Sequence, residues 1–292
     1  MKMNARVRKP KPKWLKADIP GGENFFKIKK ELEQRKLSTI CQNARCPNIS
    51  ECWNNYHATF LIMGDICSRN CSFCAVKTGT PPPLNPEEAD RILEMVTIMG
   101  AKYIVITSVT RDDLADGGSA HFAALVEKIK NRRRDLTIEI LIPDFKSSSA
   151  SLNRVFAARP DVLNHNLETV KSLYAKVNRN PENYGISLKV LKQAGENNLI
   201  TKSGIMLGLG ETAAEIEALF RDLRDSGVAL LTIGQYLQPT ANNLPVEKYY
   251  SPEEFTELRE QALSCGFTAV ESGPFVRSSY RAGRMYRKCR RG

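Results

Sequence analysis

Short apolar runs rich in strand formers recur along the chain at Thr59–Gly64, Lys102–Val109, Leu136–Phe145, Val162–Glu168, Ile200–Leu209 and Leu230–Gln238. Helical patterns lie between most of them. Ala89, Ile92, Leu93 and Val96 fall at i, i+3, i+4 and i+7, the spacing of one helix face. Asn85-Pro86-Glu87-Glu88 precedes them with a capping side chain, a proline at the first helical position and a glutamate at the third. Thr212-x-x-Glu215 spells a capping box ahead of Ile216, Leu219, Phe220 and Leu223. Ser251-Pro252-Glu253-Glu254 repeats the first device before Phe255 and Leu258.

Alternation of strand and helix predicts an α/β fold, a parallel sheet covered by helices. The six runs fill residues 59–238, or 30 residues per unit. A closed barrel of eight units takes about 250 residues. Six units therefore predict a partial (β/α)6 TIM-like barrel. Residues 1–58 and 239–292 are then N- and C-terminal extensions, expected to wrap the barrel.

Composition changes little: 42% hydrophobic and 26% charged is ordinary for a globular chain. No apolar run approaches a membrane span of about 20 residues. The basic start lacks the apolar core of a secretory signal, so a cytoplasmic protein with no membrane role is expected. Charge is more telling. The net charge is +11, yet residues 1–16 and 277–292 each hold seven Lys/Arg and no acid. The middle of the chain keeps 29 basic against 32 acidic residues. Basicity confined to the ends predicts solvated arms or a docking surface for an acidic partner. A nucleic-acid reader would spread it through the body.

The chemistry is in the cysteines. Six of eight form two triplets, Cys41-x4-Cys46-x5-Cys52 and Cys67-x3-Cys71-x2-Cys74. With no secretory signal, metal binding is a better reading than disulfides. Structural zinc wants four Cys/His ligands, and His57 could complete one such site. Thiolate triplets at short spacing suit iron–sulfur clusters. Three cysteines on a cubane leave one iron open to a substrate or a weaker ligand. The second triplet follows the first strand at its C-terminal end, where barrels of this kind carry chemistry.

Cys67-Ser68-Arg69-Asn70-Cys71-Ser72-Phe73-Cys74 resembles the Cx3CxΦC signature of the radical S-adenosylmethionine (SAM) family. In that family the open iron binds SAM, and an electron from the cluster cleaves it to methionine and a 5′-deoxyadenosyl radical. A partial (β/α)6 barrel is its typical fold. The Cys41–Cys52 triplet, TSVTRDDLADGG (107–118), NHNLETV (164–170), TKSGIMLGLGE (201–211), GQYLQPT (234–240) and Arg277-Ser278-Ser279-Tyr280 narrow the resemblance to the lipoyl synthase family. It runs from about Lys11 through the RSSY segment, and the short stretch before it argues against a transit peptide.

The resemblance implies a sulfurtransferase. Sulfur would enter at C6 and C8 of an octanoyl group on a lysine of a lipoyl carrier domain, at the expense of one SAM per site. Two 4Fe-4S clusters are implied, one on Cys67, Cys71 and Cys74, and an auxiliary one on Cys41, Cys46 and Cys52 that gives up its sulfur. An electron-donor protein is a further expected partner. By resemblance the auxiliary cluster takes a serine of the RSSY segment as fourth ligand, assigned to Ser279 with Ser278 as alternative. A hydroxyl is harder and less acidic than a thiol, so it should bind iron weakly and leave readily. A biotin-synthase-like enzyme, a zinc-stabilised nucleic-acid binder and an electron-transfer protein are the rivals.

Asn164, Asn166 and Glu168 alternate and should face one way, as SAM contacts or as partners of one another, with His165 facing away. Arg111, Asp112, Asp113 and Asp116 could line the barrel mouth or a solvated loop. Gly208-x-Gly210-x-x-Ala213 mimics a dinucleotide fingerprint, but the next strand run lacks the acidic ribose partner. Cys265 reads as core. Cys289, among Arg287, Lys288, Arg290 and Arg291, reads as an idle tail cysteine in a setting that would lower its pKa.

Overall fold

The structure, a computed structural model, describes residues 10–17 and 19–291. In chain order its strands are β1 (Ser38–Thr39), β2 (Thr59–Ile62), β3 (Ile66–Cys67), β4 (Lys77–Thr78), β5 (Tyr103–Ser108), β6 (Thr137–Leu141), β7 (Val162–Asn164), β8 (Ile200–Leu207), β9 (Leu230–Gln235) and β10 (Ala269–Gly273). All but β3 and β4 join one sheet whose spatial order follows the chain. Pairing is parallel from β2 through β10, and β1 adds antiparallel to β2. Among the described residues β1 and β10 are the unjoined edges, so the sheet curls into an open barrel. The six expected strands are all present. Ala269–Gly273 supplies a seventh parallel strand, paired along β9 from Ala269↔Leu230 to Gly273↔Gly234.

The helices are α1 (Glu23–Gln34), α2 (Ile40–Asn43), α3 (Ile49–Asn54), α4 (Glu88–Met99), α5 (Ser119–Arg132), α6 (Ser149–Ala157), α7 (Asn183–Glu196), α8 (Ala213–Asp225), α9 (Pro252–Ser264) and α10 (Ala282–Arg291). Strand alternation assigns the two faces of the sheet. On β5, Ile104 and Ile106 pack with Phe122 and Val126 of α5, while Val105 and Thr107 face a cavity inside the barrel. On β9, Leu231 and Ile233 pack with Phe220 and Leu223 of α8. Each such fully buried side chain contributes about 1.5–3 kcal/mol.

Both capping boxes form, on Thr212/Glu215 and Ser251/Glu254. The third start signal works differently. Asn85 accepts from the Glu87 amide at 3.0 Å, and α4 begins at Glu88. The Glu88 carboxylate accepts from the Met63 amide at 3.0 Å and meets His121 Nε2 at 2.7 Å. Met63 has left β2 with a φ of 64°, and its amide needs that partner.

The basic C-terminal stretch is not a solvated arm. In α10 the fully buried Met285 packs on Val162, Leu230 and Ala269 at the start of β7, β9 and β10, closing the bottom of the barrel. Cys289 packs at the edge of this plug, and burial pushes its thiol up, against the pull of Arg290. Residues 1–9 of the basic N-terminal stretch lie outside the described residues. No helix among the described residues is long and apolar enough to cross a membrane.

Candidate active site

Cys67 ends β3, just past the C-terminal end of β2, and the register Cys67↔Thr78 closes the loop that carries Cys71 and Cys74. The loop is tied down by its own backbone. Ser72 donates to the Val177 carbonyl at 3.0 Å, and Asn243 Nδ2 donates to the Ser72 and Cys74 carbonyls at 3.1 and 2.9 Å. Arg69 reaches Asp112 and Asp144, each at 2.7 Å. Burial works against the Asp144 charge, but Arg69 holds its carboxyl down at about 2. Cys67, Cys71 and Cys74 line one cavity of about 160 Å³ with Asn166, Glu168 and Arg179. The Cys67 sulfur accepts from the amides of Arg69 and Thr110 at 3.4 and 3.3 Å, and the Cys74 sulfur from Val76 at 3.4 Å.

The other triplet rides on α2 and α3. Thr39 caps α2, which carries Cys41, and the Cys46 amide turns back to the Cys41 carbonyl at 2.9 Å. Trp53, stacked on Phe25 at 5.2 Å, anchors α3 beside Cys52. Cys41, Cys46 and Cys52 line a cavity of about 360 Å³ with His57, Thr59, Arg277 and Ser279. The RSSY segment is clamped there from both sides. Asn48 Nδ2 donates to the Phe275 carbonyl at 2.6 Å, and the Tyr280 hydroxyl donates to Glu51 at 3.0 Å. Thr59 Oγ1 donates to Ser279 Oγ at 2.7 Å. Ser278 turns elsewhere, between Asn164 at 2.8 Å and Asn166 at 3.0 Å.

Burial pushes the Cys41 and Cys74 thiols up to about 11 and the Cys52 thiol to about 12, with neighbouring sulfurs of the same triplet adding to the rise. Burial raises Cys46 and Cys71 as well, opposed by Arg277 and Arg179 respectively. Metal ligation must remove those protons. The donor set fits iron–sulfur chemistry: three soft sulfurs around a shared cavity, with cationic guanidinium nearby. Among the described residues, no three His, Cys, Asp or Glu side chains converge tightly enough to hold one metal ion.

A third cavity, of about 410 Å³, is lined by Cys74 from one triplet and by Cys41 and Cys46 from the other. Ile40, Phe73, Val105, Leu141 and Met206 give it an apolar wall. Asn166, Glu168, Ser278 and Ser279 are among its polar positions. That size and mixture suit a small organic ligand. Gly234 makes room for the wall. A Cβ there would lie 2.1 Å from the Val276 carbonyl oxygen, which is backbone and cannot swing aside. Gly234→Ala is therefore expected to push the RSSY segment off β9. Overpacking costs about 1–3 kcal/mol. A lowered melting temperature is the readout, and a wild-type value would reject the close-approach argument.

Asn166 and Glu168 line both the cavity of about 160 Å³ and the large one, linked to each other at 3.1 Å. Asn164 lies beneath them, fully buried, and lines neither. His165 faces away, held by the Ile142 carbonyl and Ser187. The remaining candidates have structural partners. Arg111 is buried on the Met63 carbonyl and Asp113, Asp112 fixes Arg69, and Asp116 caps the start of α5. In the glycine loop, the Glu211 carboxylate takes the amides of Gly208, Leu209 and Gly210, leaving no phosphate cradle. Sequence reasoning missed Arg179, which stacks over Phe73 and Tyr174 beside Cys71 and Glu168. It also missed roles for Thr59, Arg69 and Arg277.

The model of the radical SAM superfamily matches residues 61–223, and that of the N-terminal domain of lipoyl synthase matches residues 1–46. The lipoyl synthase of Rubrobacter xylanophilus is 49% identical over 98% of this chain and 90% of its own length. That of Chlorobaculum parvum is 50% identical over 93% of this chain and 94% of its own. Among solved structures, a maturase of the FeFe-hydrogenase superposes with a TM-score of 0.54 at 13% identity, over 89% of this chain and 77% of its own. Methylornithine synthase gives 0.53 at 16%, over 83% of this chain and 80% of its own. These two likenesses concern the fold alone. The superfamily match brings with it SAM and a 4Fe-4S cluster. Identity near one half over nearly the whole chain, together with both family matches, decides against the biotin-synthase-like, zinc and electron-transfer readings: this chain belongs to the lipoyl synthase family, sulfurtransferases of the radical SAM superfamily.

Proposed function

We propose that the chain inserts sulfur at C6 and C8 of an octanoyl group carried on a lysine of a lipoyl carrier domain, with Cys67, Cys71 and Cys74 as ligands of the SAM-binding 4Fe-4S cluster. Cys41, Cys46, Cys52 and Ser279 hold a second, auxiliary 4Fe-4S cluster. When bound, SAM and its cluster supply a primary carbon radical able to open unactivated C–H bonds, and the auxiliary cluster supplies sulfide. One observation carries the reading: cysteines of both triplets line the same apolar-walled cavity. An acyl chain lying there faces both centres without leaving the protein.

The chain's own residues do the rest. The apolar wall orients the acyl chain and excludes water. Asn166, Glu168 and Arg179 contact SAM beside the second triplet, and Asn164 supports Asn166 from below. Ser279 is the fourth ligand of the auxiliary cluster, since it shares a cavity with all three cysteines while Ser278 is bonded to two asparagines. Lys11 and Arg45 also line the large cavity, on the basic side expected to receive an acidic carrier domain. An electron-donor protein and a cytoplasmic setting complete the reading.

The test is anaerobic incubation of the reconstituted protein with SAM, a reductant and an octanoyl-lysine peptide, read by mass spectrometry. Gain of two sulfurs on the acyl chain, with 5′-deoxyadenosine formed, is expected. Deoxyadenosine without any sulfur gain would reject the substrate. The labile ligand has its own test. Ser279→Cys replaces a weak oxygen donor with a strong thiolate, so SAM cleavage should continue while sulfur transfer slows or stops. Ser279→Ala should give a less durable auxiliary cluster, and Ser278→Ala should leave that cluster assembled. Wild-type lipoyl yield from Ser279→Cys would mean that release of this ligand is not required.

A further inference from the structure

Inside the barrel, below the large cavity, a glutamate and a lysine interrupt two apolar strands. Glu139 on β6 and Lys202 on β8 have wholly buried side chains and pair at 2.9 and 3.1 Å. An ion pair so deep is poor evidence of added stability, because desolvation offsets the attraction. Its neighbours suggest another use. Ion-paired Glu139 can only accept hydrogen bonds. Besides Lys202 it accepts from the Tyr103 hydroxyl at 2.6 Å and from Asn164 Nδ2 at 3.1 Å.

That demand fixes the direction of every bond above it. Asn164 must turn its amide NH2 toward Glu139, and the same NH2 also donates to Ser278 Oγ at 2.8 Å. Its own Oδ1 is left buried without a hydrogen-bond partner, a cost that nothing local repays. Ser278, its oxygen taken up by that donor, donates its own hydroxyl hydrogen to Asn166 Oδ1 at 3.0 Å. Asn166 then faces Glu168 with its NH2, at 3.1 Å. Reversing Asn164 would set Oδ1 against the Glu139 carboxylate, acceptor against acceptor, and remove the donor from Ser278.

We propose that Glu139, held by Lys202, is a positioning residue that sets one hydrogen-bond direction through Asn164, Ser278 and Asn166, and so couples the SAM pocket to the segment bearing Ser279. This rests on the assignment of Asn166 and Glu168 to SAM and of Ser279 to the auxiliary cysteines. The column spans the barrel interior between the two centres, and Ser278 is its junction. Its role is geometric, since no member except Asn166 and Glu168 touches a reactant.

Glu139→Gln tests it, because the amide keeps the shape and can donate to Asn164 Oδ1, freeing Asn164 to turn over. The holoenzyme should still form 5′-deoxyadenosine, with a raised KM for SAM. Deoxyadenosine spent per sulfur inserted should rise by about tenfold, the weight of one buried hydrogen bond. The Mössbauer signal of the auxiliary cluster's non-thiolate iron should shift, and that of the radical cluster's thiolate-bound irons should not. A purely structural role would lower the melting temperature and leave that ratio unchanged. Ser278→Ala, which removes the junction without disturbing the ion pair, serves if Glu139→Gln fails to fold, and the same rise in ratio is expected. A wild-type ratio in folded Glu139→Gln, or in Ser278→Ala when that variant must decide, overturns the proposal. Lipoyl product from Cys41→Ala would instead overturn the cluster assignment beneath it.

Discussion

Alanine at Cys67, Cys71 or Cys74 removes 5′-deoxyadenosine formation down to the reagent background, in the presence of SAM and a strong reductant, and removes lipoyl product with it. Each of the three cysteines lines the one cavity shared with Asn166, Glu168 and Arg179. A cubane held by two thiolates has no dedicated open iron, so the loss is complete rather than partial. The fold survives the change. Removing one buried sulfur costs about 1–2 kcal/mol, and the loop keeps its ties to Val177 and Asn243. The proposed auxiliary centre, walled by other residues, should retain its iron and sulfide. Measuring deoxyadenosine by chromatography, with iron content and circular dichroism as controls, settles it. Wild-type deoxyadenosine from any one variant would remove that cysteine from the ligand set.

The complementary result is expected on the other side of the large cavity. Cys41→Ala, Cys46→Ala or Cys52→Ala should cleave SAM at close to the wild-type rate and yield no singly or doubly thiolated product. These sulfurs belong to a different cavity, and none of them lines the SAM-side one. With the sulfur source missing, the carbon radical left on the octanoyl chain has no sulfur to attack, and deoxyadenosine accumulates without sulfur transfer. Cys41 is the strictest case because it is also core, packed with Trp53 and Phe60. Cys52 is the cleaner one, being half-buried. Thiolated peptide from Cys52→Ala at wild-type yield would sink the sulfur-source role of this triplet.

The barrel was legible because each strand is a short run rich in apolar residues whose outer face a helix covers, and each run ends in turn or polar residues. Ala269–Gly273 escaped because it reads Ala-Val-Glu-Ser-Gly, an edge strand with only its first two residues buried. In α1 the signal was present, with Phe25, Ile28 and Leu32 on one face, but it is carried on a strongly charged helix. The cysteines and the RSSY segment declared themselves by spacing and resemblance. Arg179, Thr59 and the Glu139–Lys202 pair did not, because their partners lie far away along the chain. The trace that the pair left is a charged residue inside an otherwise uncharged strand, as in Thr-Ile-Glu-Ile-Leu and Ile-Thr-Lys-Ser-Gly. Such a residue says that a partner exists without saying which.

The plug formed by α10 bears on how the protein is handled and how it tolerates damage. Met285 is wedged under the barrel six residues beyond Ser279, with only the turn around Arg281 between them. The far side of the proposed iron ligand thus hangs from a helix that holds no ligand itself. Clipping residues 282–292 by a protease, or a frameshift in the last codons, would spare every cysteine of both triplets and still slacken the segment that presents Ser279. Such a shortened product would look intact by its SAM turnover while burning cofactor to no purpose. An affinity handle is accordingly poorly placed directly behind this helix.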